Sequence, residues 1–171
     1  MLGLGSNLGD SRLIICGAVR ELEEVLTKLR RASLYETDPL GVKDQGKFLN
    51  TAVAGFYPGA ENASSARELL AAIHRIEAKF GRDRKRERRW GERFLDIDIL
   101  LFGGLAINES NLEEPNLNEP YLTIPHPRLK ERRFALEPLL ELLPYAAEPG
   151  SGLSYRSVLD ALPDQGVRKI A

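Results

Sequence analysis

Residues 93–104 read RFLDIDILLFGG. Between Phe94 and Phe102 every residue is apolar except Asp96 and Asp98. Ile97 and Ile99 are β-branched, Phe94 and Phe102 are aromatic, and Gly103-Gly104 follows as a turn, so the segment reads as a strand. Alternation puts Asp96 and Asp98 on one face, about 6.5–7 Å apart along the chain, and Leu95, Ile97, Ile99 and Leu101 on the other. Two carboxylates beside Leu100 and Phe102 repel each other and lose hydration, so such a pair persists where cations or strong donors meet it. The competing reading is an edge strand whose aspartates are simply wet.

The residues just upstream weigh against that plainer reading. Residues 82–93, RDRKRERRWGER, hold seven Lys or Arg against three Asp or Glu, a local charge of +4 in a chain whose net charge is −1. A basic block in an otherwise acidic chain marks a local task. Two carboxylates that hold Mg²⁺, with guanidiniums converging on the same place, form the constellation that phosphoryl transfer requires. The metal bridges phosphate oxygens, and the arginine forks orient and neutralise a polyphosphate.

The 171 residues, 43% of them apolar, suffice for one domain with a proper core, taken here as residues 1–171. The single cysteine, Cys16, excludes an intrachain disulfide and falls in a helical pattern, where a buried thiol is expected. There is no apolar run of membrane-spanning length and no signal-peptide pattern, so a soluble, cytoplasmic protein is expected.

Outward from the aspartate strand, Leu2–Leu4 reads as strand and GSNLGD as a turn. Apolar spacing at Ile15, Ala18, Leu22, Val25, Leu26 and Leu29 predicts a helix over residues 11–30. Strands are expected over 33–37 and 48–57, separated by the loop DPLGVKDQGK, with Asn50 the odd polar residue in the second strand. A second helix is expected from a Ser65/Glu68 capping box to Gly81. The Gly103-Gly104 turn suggests a hairpin to residues 105–107, and residues 109–121 read as an acidic, Asn/Pro-rich loop. Further helices are expected near 136–143, opened or kinked by Pro138, and near 155–162. The order is a β-α-β-β-α-β core with C-terminal additions, a ferredoxin-like α+β arrangement with a mainly antiparallel sheet flanked by helices.

Other motifs are weaker. Gly3, Gly5 and Gly9 with Ser6 and Asn7 invite a phosphate-loop reading, but their spacing matches neither GxGxxG nor GxxxxGK[ST], and a tight strand-to-helix turn accounts for them. His74 and Glu77 lie one helical turn apart, a weak zinc signal without a third ligand. His126 sits between prolines in IPHPRL, which suits a held imidazole. Neither histidine has a nearby candidate nucleophile in sequence.

GLGSNLGD, ETDPLGVKDQGKFLNTAV, RIEAKFGRDRKRERRWGERFLDIDILLFG and LTIPHPRLKERRFAL, in that order, resemble the 6-hydroxymethyl-7,8-dihydropterin pyrophosphokinase family of folate biosynthesis, from Gly3 to about Pro144. The resemblance implies a ferredoxin-like fold and Mg²⁺-dependent transfer of the pyrophosphoryl group of ATP to the pterin hydroxymethyl oxygen, with AMP as the other product. It implies that Asp96 and Asp98 bind two magnesium ions. By the same resemblance Glu77, Arg84, Arg89, Arg93, Ile99, Thr123, His126 and Arg132 contact the nucleotide, with His74 beside the adenosine and Arg84 and Arg89 on a mobile catalytic loop. Thr37, Leu40 and Asn50 match pterin hydrogen-bonding positions, Phe48 and Phe134 an aromatic pair that sandwiches the ring, and Trp90 an aromatic that closes over the site. Fusion to, or association with, another folate-pathway enzyme is also implied. Several positions depart from the family pattern. The first strand is short, and the basic loop is one residue longer than usual, which leaves Arg88 and Arg89 both open as the loop contact. Residues 109–121 form a longer insertion, with Tyr121 where an arginine sometimes stands, and Asp38 replaces a frequent proline.

Two other classes compete. A ferredoxin-like nucleic-acid-binding module would need exposed stacking aromatics, and a bare acidic pair would repel a phosphate backbone. A metal-dependent nuclease would use Asp96 and Asp98 but leave Asn50 and the aromatic pair idle. The expected partners are therefore the small molecules ATP and hydroxymethyldihydropterin, with neither nucleic acid nor membrane.

Overall fold

The computed structural model describes residues 1–39, 44–82, 91–109 and 122–170. Along these, β1 (Leu2–Ser6) leads into α1 (Ser11–Glu23), then β2 (Thr27–Arg31), β3 (Leu34–Thr37), β4 (Phe48–Phe56) and α2 (Ala63–Lys79). β5 (Asp96–Ile99), β6 (Ile107–Asn108) and β7 (Thr123–Ile124) follow, then a single 3₁₀ turn at Leu129–Glu131. The chain continues through α3 (Arg133–Leu142), α4 (Tyr155–Ala161) and β8 (Arg168–Ile170). The main sheet runs β5-β1-β4-β3-β8, with β2 also paired to β4 and every pairing antiparallel. Taken together, β2 and β3 occupy one strand position, which makes the core the expected β-α-β-β-α-β arrangement.

The two faces of the sheet differ in chemistry. Leu2, Leu4, Val53, Ile97 and Ile99 face α1 and α2 and join Leu22, Leu69, Ile73 and Ile76 in one buried cluster. On the other face β1 carries only Gly3 and Gly5, and the helices α3 and α4 cover the area beside them with a second cluster built on Leu129, Leu136, Leu139 and Tyr155. The ends of α1 and α2 have local causes. Asp10 caps α1 by accepting from the Leu13 amide at 3.0 Å, and Gly81, at φ +88°, ends α2 in the left-handed conformation that glycine adopts freely.

Several expectations need correction. The helix expected over 11–30 stops at Glu23, and Thr27–Arg31 becomes a strand. The nine-residue β4 outruns the four-residue β3, and its outer half takes its ladder partner from β2, with a register break between Thr27 and Arg30 and Lys28 at φ +50°. Leu26 still reaches the core, so the apolar spacing that imitates a helix is served by a bulged strand. α2 is capped by Asn62, whose Oδ1 accepts from the Ser65 amide at 2.9 Å, while Glu68 accepts from Tyr57 instead. β5 ends at Ile99 and forms no hairpin with residues 105–107; β6 pairs with β7 in a separate ribbon. Beyond Ile99 the backbone is already engaged, with Leu100 and Leu101 amides donating to Met1 O and Leu100 O accepting from the His126 amide. Pro138 lies inside α3, which begins earlier than expected, at Arg133. Cys16 is exposed, on the outer side of α1. Among the described residues no helix is long and apolar enough to cross a membrane.

Glu141 fastens α3 to the sheet. Its carboxylate accepts from the Ser33 amide at 3.0 Å, the Ser33 hydroxyl at 2.8 Å and the Tyr35 hydroxyl at 2.7 Å, and pairs with Lys169 at 3.2 Å. Burial would raise its pKa, but the hydrogen bonds from Tyr35 and Ser33 win and hold it at about 2. A lowered folded-state pKa contributes stability above the ordinary value of 4.5 that is lost as pH falls toward 2. Glu141→Gln is therefore expected to lower Tm at pH 7, with the gap to the parent closing between pH 4.5 and 2, as followed by thermal melts across that range.

Candidate functional site

Strand register assembles the site before any side chain is considered. Gly5 on β1 stands between Asp96 on β5 and Asn50 on β4, and Gly3 stands beside Asp98. The two glycines leave a bare floor between a carboxylate strand and an amide strand. A Cβ on Gly5 would come within 3.1 Å of Asn50 Oδ1, and one on Gly3 within 3.3 Å of Leu100. α3 and the segment before it roof this floor, and a single cavity runs from Asp96 and Asp98 to Asn50 and Thr37. Gly3 and Gly5 thus act as strand residues that open space, and only Gly9 belongs to the turn before α1.

The two aspartates are compensated unequally. β5 is an edge strand, and its Ile97 amide donates to Glu77 Oε1 of α2 at 2.8 Å. The same buried Glu77 carboxylate pairs with Arg82, whose Nη1 also reaches Asp96 Oδ1 at 2.5 Å. Arg93 adds a contact to Asp96 at 3.5 Å. Among the described residues Asp98 has only looser company, with Arg132 Nη1 at 3.5 Å and His126 Nε2 at 3.7 Å. Its side chain opens to the cavity with 37% of its surface accessible, yet the surrounding protein strips it of bulk water. Desolvation first, and the charge of Asp96 second, push its pKa up to about 7.

His126 is held neutral. Burial, then the neighbouring Arg132, lowers its pKa to about 4. Its Nδ1 accepts from the Arg128 amide at 3.1 Å, so the ring hydrogen sits on Nε2, the atom that faces Asp98. Arg132 lies with its guanidinium 5.6 Å from the centre of the Phe134 ring, and its buried Nε has no hydrogen-bond partner among the described residues.

At the other end of the cavity Asn50 Nδ2 donates to Thr37 Oγ1 at 3.0 Å, with Phe48 and Phe134 on the walls. Asn7 ties this end to the carboxylates. Its amide donates to Gln45 and to Gly46 O, while its Oδ1 accepts from the Arg93 amide at 2.8 Å. One side chain thereby anchors two loops on opposite sides of the cavity.

Of the residues singled out from the sequence, Thr37, Phe48, Asn50, Arg93, Asp96, Asp98, His126, Arg132 and Phe134 line this one cavity. His74, Glu77, Ile99 and Thr123 do not line it: His74 and Glu77 lie on α2, Ile99 packs in the core against the helices, and Thr123 belongs to the β6–β7 ribbon. Leu40, Arg84, Arg89 and Trp90 lie outside the described residues. Sequence reasoning missed the floor glycines in their structural role, the clamp of Asn7, and Arg82 as the bridge between Glu77 and Asp96. The alternation of Gly3 and Gly5 with Leu2 and Leu4 was the available signal for the floor.

The donor set suits a hard divalent cation that shares its coordination with a substrate. Two carboxylates on one strand face converge on the cavity, one of them short of compensating charge, and Mg²⁺ is commonly held by one or two carboxylates plus phosphate oxygens. Among the described residues no group of three or more His, Cys, Asp or Glu forms a closed metal cage.

Comparison with known proteins agrees with this picture. Residues 1–144 match the family model for 7,8-dihydro-6-hydroxymethylpterin-pyrophosphokinase. The chain is 35% identical over 171 residues to the 2-amino-4-hydroxy-6-hydroxymethyldihydropteridine pyrophosphokinase of Methylorubrum extorquens, covering 99% of this chain and 96% of that protein. It is 41% identical over 143 residues to the Bacillus subtilis protein of the same name, covering 82% of this chain and 75% of that one. Its fold is similar to the wild-type HPPK-DHPS of Plasmodium falciparum, with a TM-score of 0.68 at 17% identity, over 93% of this chain but only 43% of that longer one.

The unequal compensation makes a testable claim about the metal-free protein. A folded-state pKa of about 7 for Asp98, against an ordinary 3.8, means that folding favours the protonated form, so its contribution to stability falls as pH rises from about 4 to 7. His126 acts in the opposite sense, losing stability as pH falls from 6.5 toward 4, and is common to the parent and an Asp98 variant. Asp98→Asn is expected to gain on the parent steadily between pH 4 and 8 in chelator-treated buffer, and to melt above it at pH 8. A variant that melts below its parent at pH 8 would mean that Arg132 already neutralises Asp98.

Proposed function

Because the chain belongs to the 7,8-dihydro-6-hydroxymethylpterin-pyrophosphokinase family, we propose that residues 1–171 form one domain that transfers the pyrophosphoryl group of ATP to 6-hydroxymethyl-7,8-dihydropterin. The products are AMP and the pterin diphosphate, in the biosynthesis of folate. The observation that carries this reading is the continuity of the cavity. A polar bed of Asn50 and Thr37 between Phe48 and Phe134 opens directly onto Asp96 and Asp98, across the bare floor of Gly3 and Gly5.

A flat ring with a polar rim needs stacking on its faces and paired donors and acceptors at its edge. Phe48 and Phe134 supply the faces, and the Asn50 amide and Thr37 hydroxyl supply the rim, with Leu40 assigned to the same edge. The hydroxymethyl group of a ring so placed points along the floor toward the carboxylates. There the hydroxymethyl oxygen attacks the β-phosphorus in line. A bond from that oxygen to phosphorus forms as the bond from the β-phosphorus to the α,β-bridging oxygen breaks. AMP departs with the bonding pair, and the hydroxyl proton passes to solvent.

Phosphoryl transfer leaves the protein mainly positioning and charge stabilisation to perform. Asp96 and Asp98 would hold Mg²⁺, two ions in this reading, which when bound supplies charge stabilisation for the transferring group and acidifies the attacking hydroxyl. Arg93 beside Asp96 and Arg132 beside Asp98 offer fork-like donors to phosphate oxygens, with Arg84 and Arg89 assigned to the same task and Trp90 to covering the site. His126, neutral and with its hydrogen on Nε2, donates toward the same place without adding charge. His74, Ile99 and Thr123 are assigned to the nucleotide from the adjoining edge, and Glu77 serves by holding Arg82 and the β5 backbone. Both substrates are dissolved small molecules, and a cytoplasmic setting is part of the reading. So is association with another folate-pathway enzyme, supported by the likeness to part of the longer HPPK-DHPS chain.

The test is AMP release from ATP and Mg²⁺ with and without hydroxymethyldihydropterin; AMP production that does not depend on the pterin would overturn the reading. Asn50→Leu is expected to weaken pterin binding by about 1–3 kcal/mol, the cost of leaving ligand polar groups unpaired, with ATP affinity unchanged. Calorimetric titration of each ligand separates the two effects.

A further inference from the structure

The family match ends at residue 144, yet the chain beyond it returns to the site. β8 pairs with β3, and just before it Gln165 reaches the turn into α3. The Gln165 carboxamide makes two hydrogen bonds there: its Oε1 accepts from the Arg133 amide at 3.0 Å, and its Nε2 donates to Glu131 O at 2.8 Å. These are the backbone groups on either side of Arg132, which is extended at φ −117°, ψ 101° and caps α3 without any side-chain cap of its own. A carboxamide that pairs with the carbonyl before and the amide after an extended residue does what a neighbouring β-strand would do. Arg133, next in sequence, is fastened to the same tail through Nη1 bonds to Leu159 O at 3.2 Å and Leu162 O at 3.0 Å.

We propose that Gln165 is a positioning residue for the pyrophosphoryl transfer. By fixing the backbone at Arg132 it aims the Arg132 guanidinium at Asp98 and the Phe134 ring into the pterin end of the cavity. The proposal rests on the pyrophosphokinase reading and adds to it a tail residue that touches neither substrate. Arg132 otherwise has the bonds of its own turn, its amide donating to Leu129 O at 3.3 Å and its carbonyl accepting from the Ala135 and Leu136 amides, and no side-chain cap, so loss of the two Gln165 bonds loosens Arg132 before it unfolds the helix. Glu141 holds the far end of α3 independently.

The experiment compares pterin-dependent AMP formation by the parent, Gln165→Ala, Arg132→Ala and the double variant. Gln165→Ala is expected to lower kcat/KM about tenfold, the loss of one or two net hydrogen bonds, and to have a clearly smaller effect once Arg132 is alanine, when only the placement of Phe134 is left to lose. Amide exchange at Arg133 should quicken in Gln165→Ala while that of α4 is unchanged. Lys169→Ala, which loosens the same tail at its ion pair with Glu141, serves as the control and should leave activity as in the parent. If Gln165→Ala does not fold, Gln165→Glu takes its place, since it keeps the acceptor for Arg133 but cannot donate to Glu131 O when ionised. An active parent with an equally active Gln165 variant would overturn the inference alone, as would losses that simply add in the double variant or are matched by Lys169→Ala. A parent without pterin-dependent AMP would overturn the functional reading, and the positioning role with it.

Discussion

Two carboxylates that share one face of an edge strand, in a place that water reaches poorly, cannot both be left uncompensated, and much of the molecule is arranged around how that charge is met. Asp96 is tied to the buried pair Glu77–Arg82, which also supplies the acceptor that the Ile97 amide lacks at the sheet edge. Among the described residues Asp98 is left with contacts of 3.5 Å and longer, and its pKa is pushed up to about 7. The asymmetry matters because a desolvated carboxylate with few compensating partners gains most from the arrival of a cation.

The sheet separates stability from chemistry by its two faces. The helix-covered face is filled with Leu, Ile and Val from three strands and two helices, which fixes the spacing of β5, β1 and β4. Because that spacing is set from behind, the front face can afford two glycines in its central strand and an empty floor. Asn50 and Asp96 then face each other across Gly5, which puts an amide and a carboxylate in one cavity at a distance set by strand pairing.

The roof is built differently. α3 has no side-chain cap of its own and no continuous ladder to hold it, and it is fixed by polar ties from elsewhere: Glu141 to Ser33 and Tyr35 at one end, Gln165 to residues 131 and 133 at the other. Such ties are directional, so they fix the orientation of Arg132 and Phe134 more closely than apolar packing alone would. They also join the C-terminal segment, beyond the family match, to the walls of the site.

Much of this was legible in the chain itself. The alternation in RFLDIDILLFGG placed Asp96 and Asp98 on one face, and Asn50 stood out as the polar residue in an apolar strand, because strand periodicity is a local property that each residue reports by its own polarity. The end of the second helix could be read from Gly81 for the same reason. Other features depended on partners distant in sequence. The stretch 24–31 carries helical spacing, and only the unmet ladder of β4 turns it into a bulged strand. Gly103-Gly104 signals a turn but cannot say that the strand after it pairs with residues 123–124. The sequence by itself determined which residue types bear the chemistry. Tertiary structure alone decided that Arg82 meets Asp96 while Asp98 is left exposed to its repulsion, and that Gln165 reaches the Arg133 amide, since charge compensation and capping across 14 and 32 residues depend on where folding brings the backbone, not on any pattern along it.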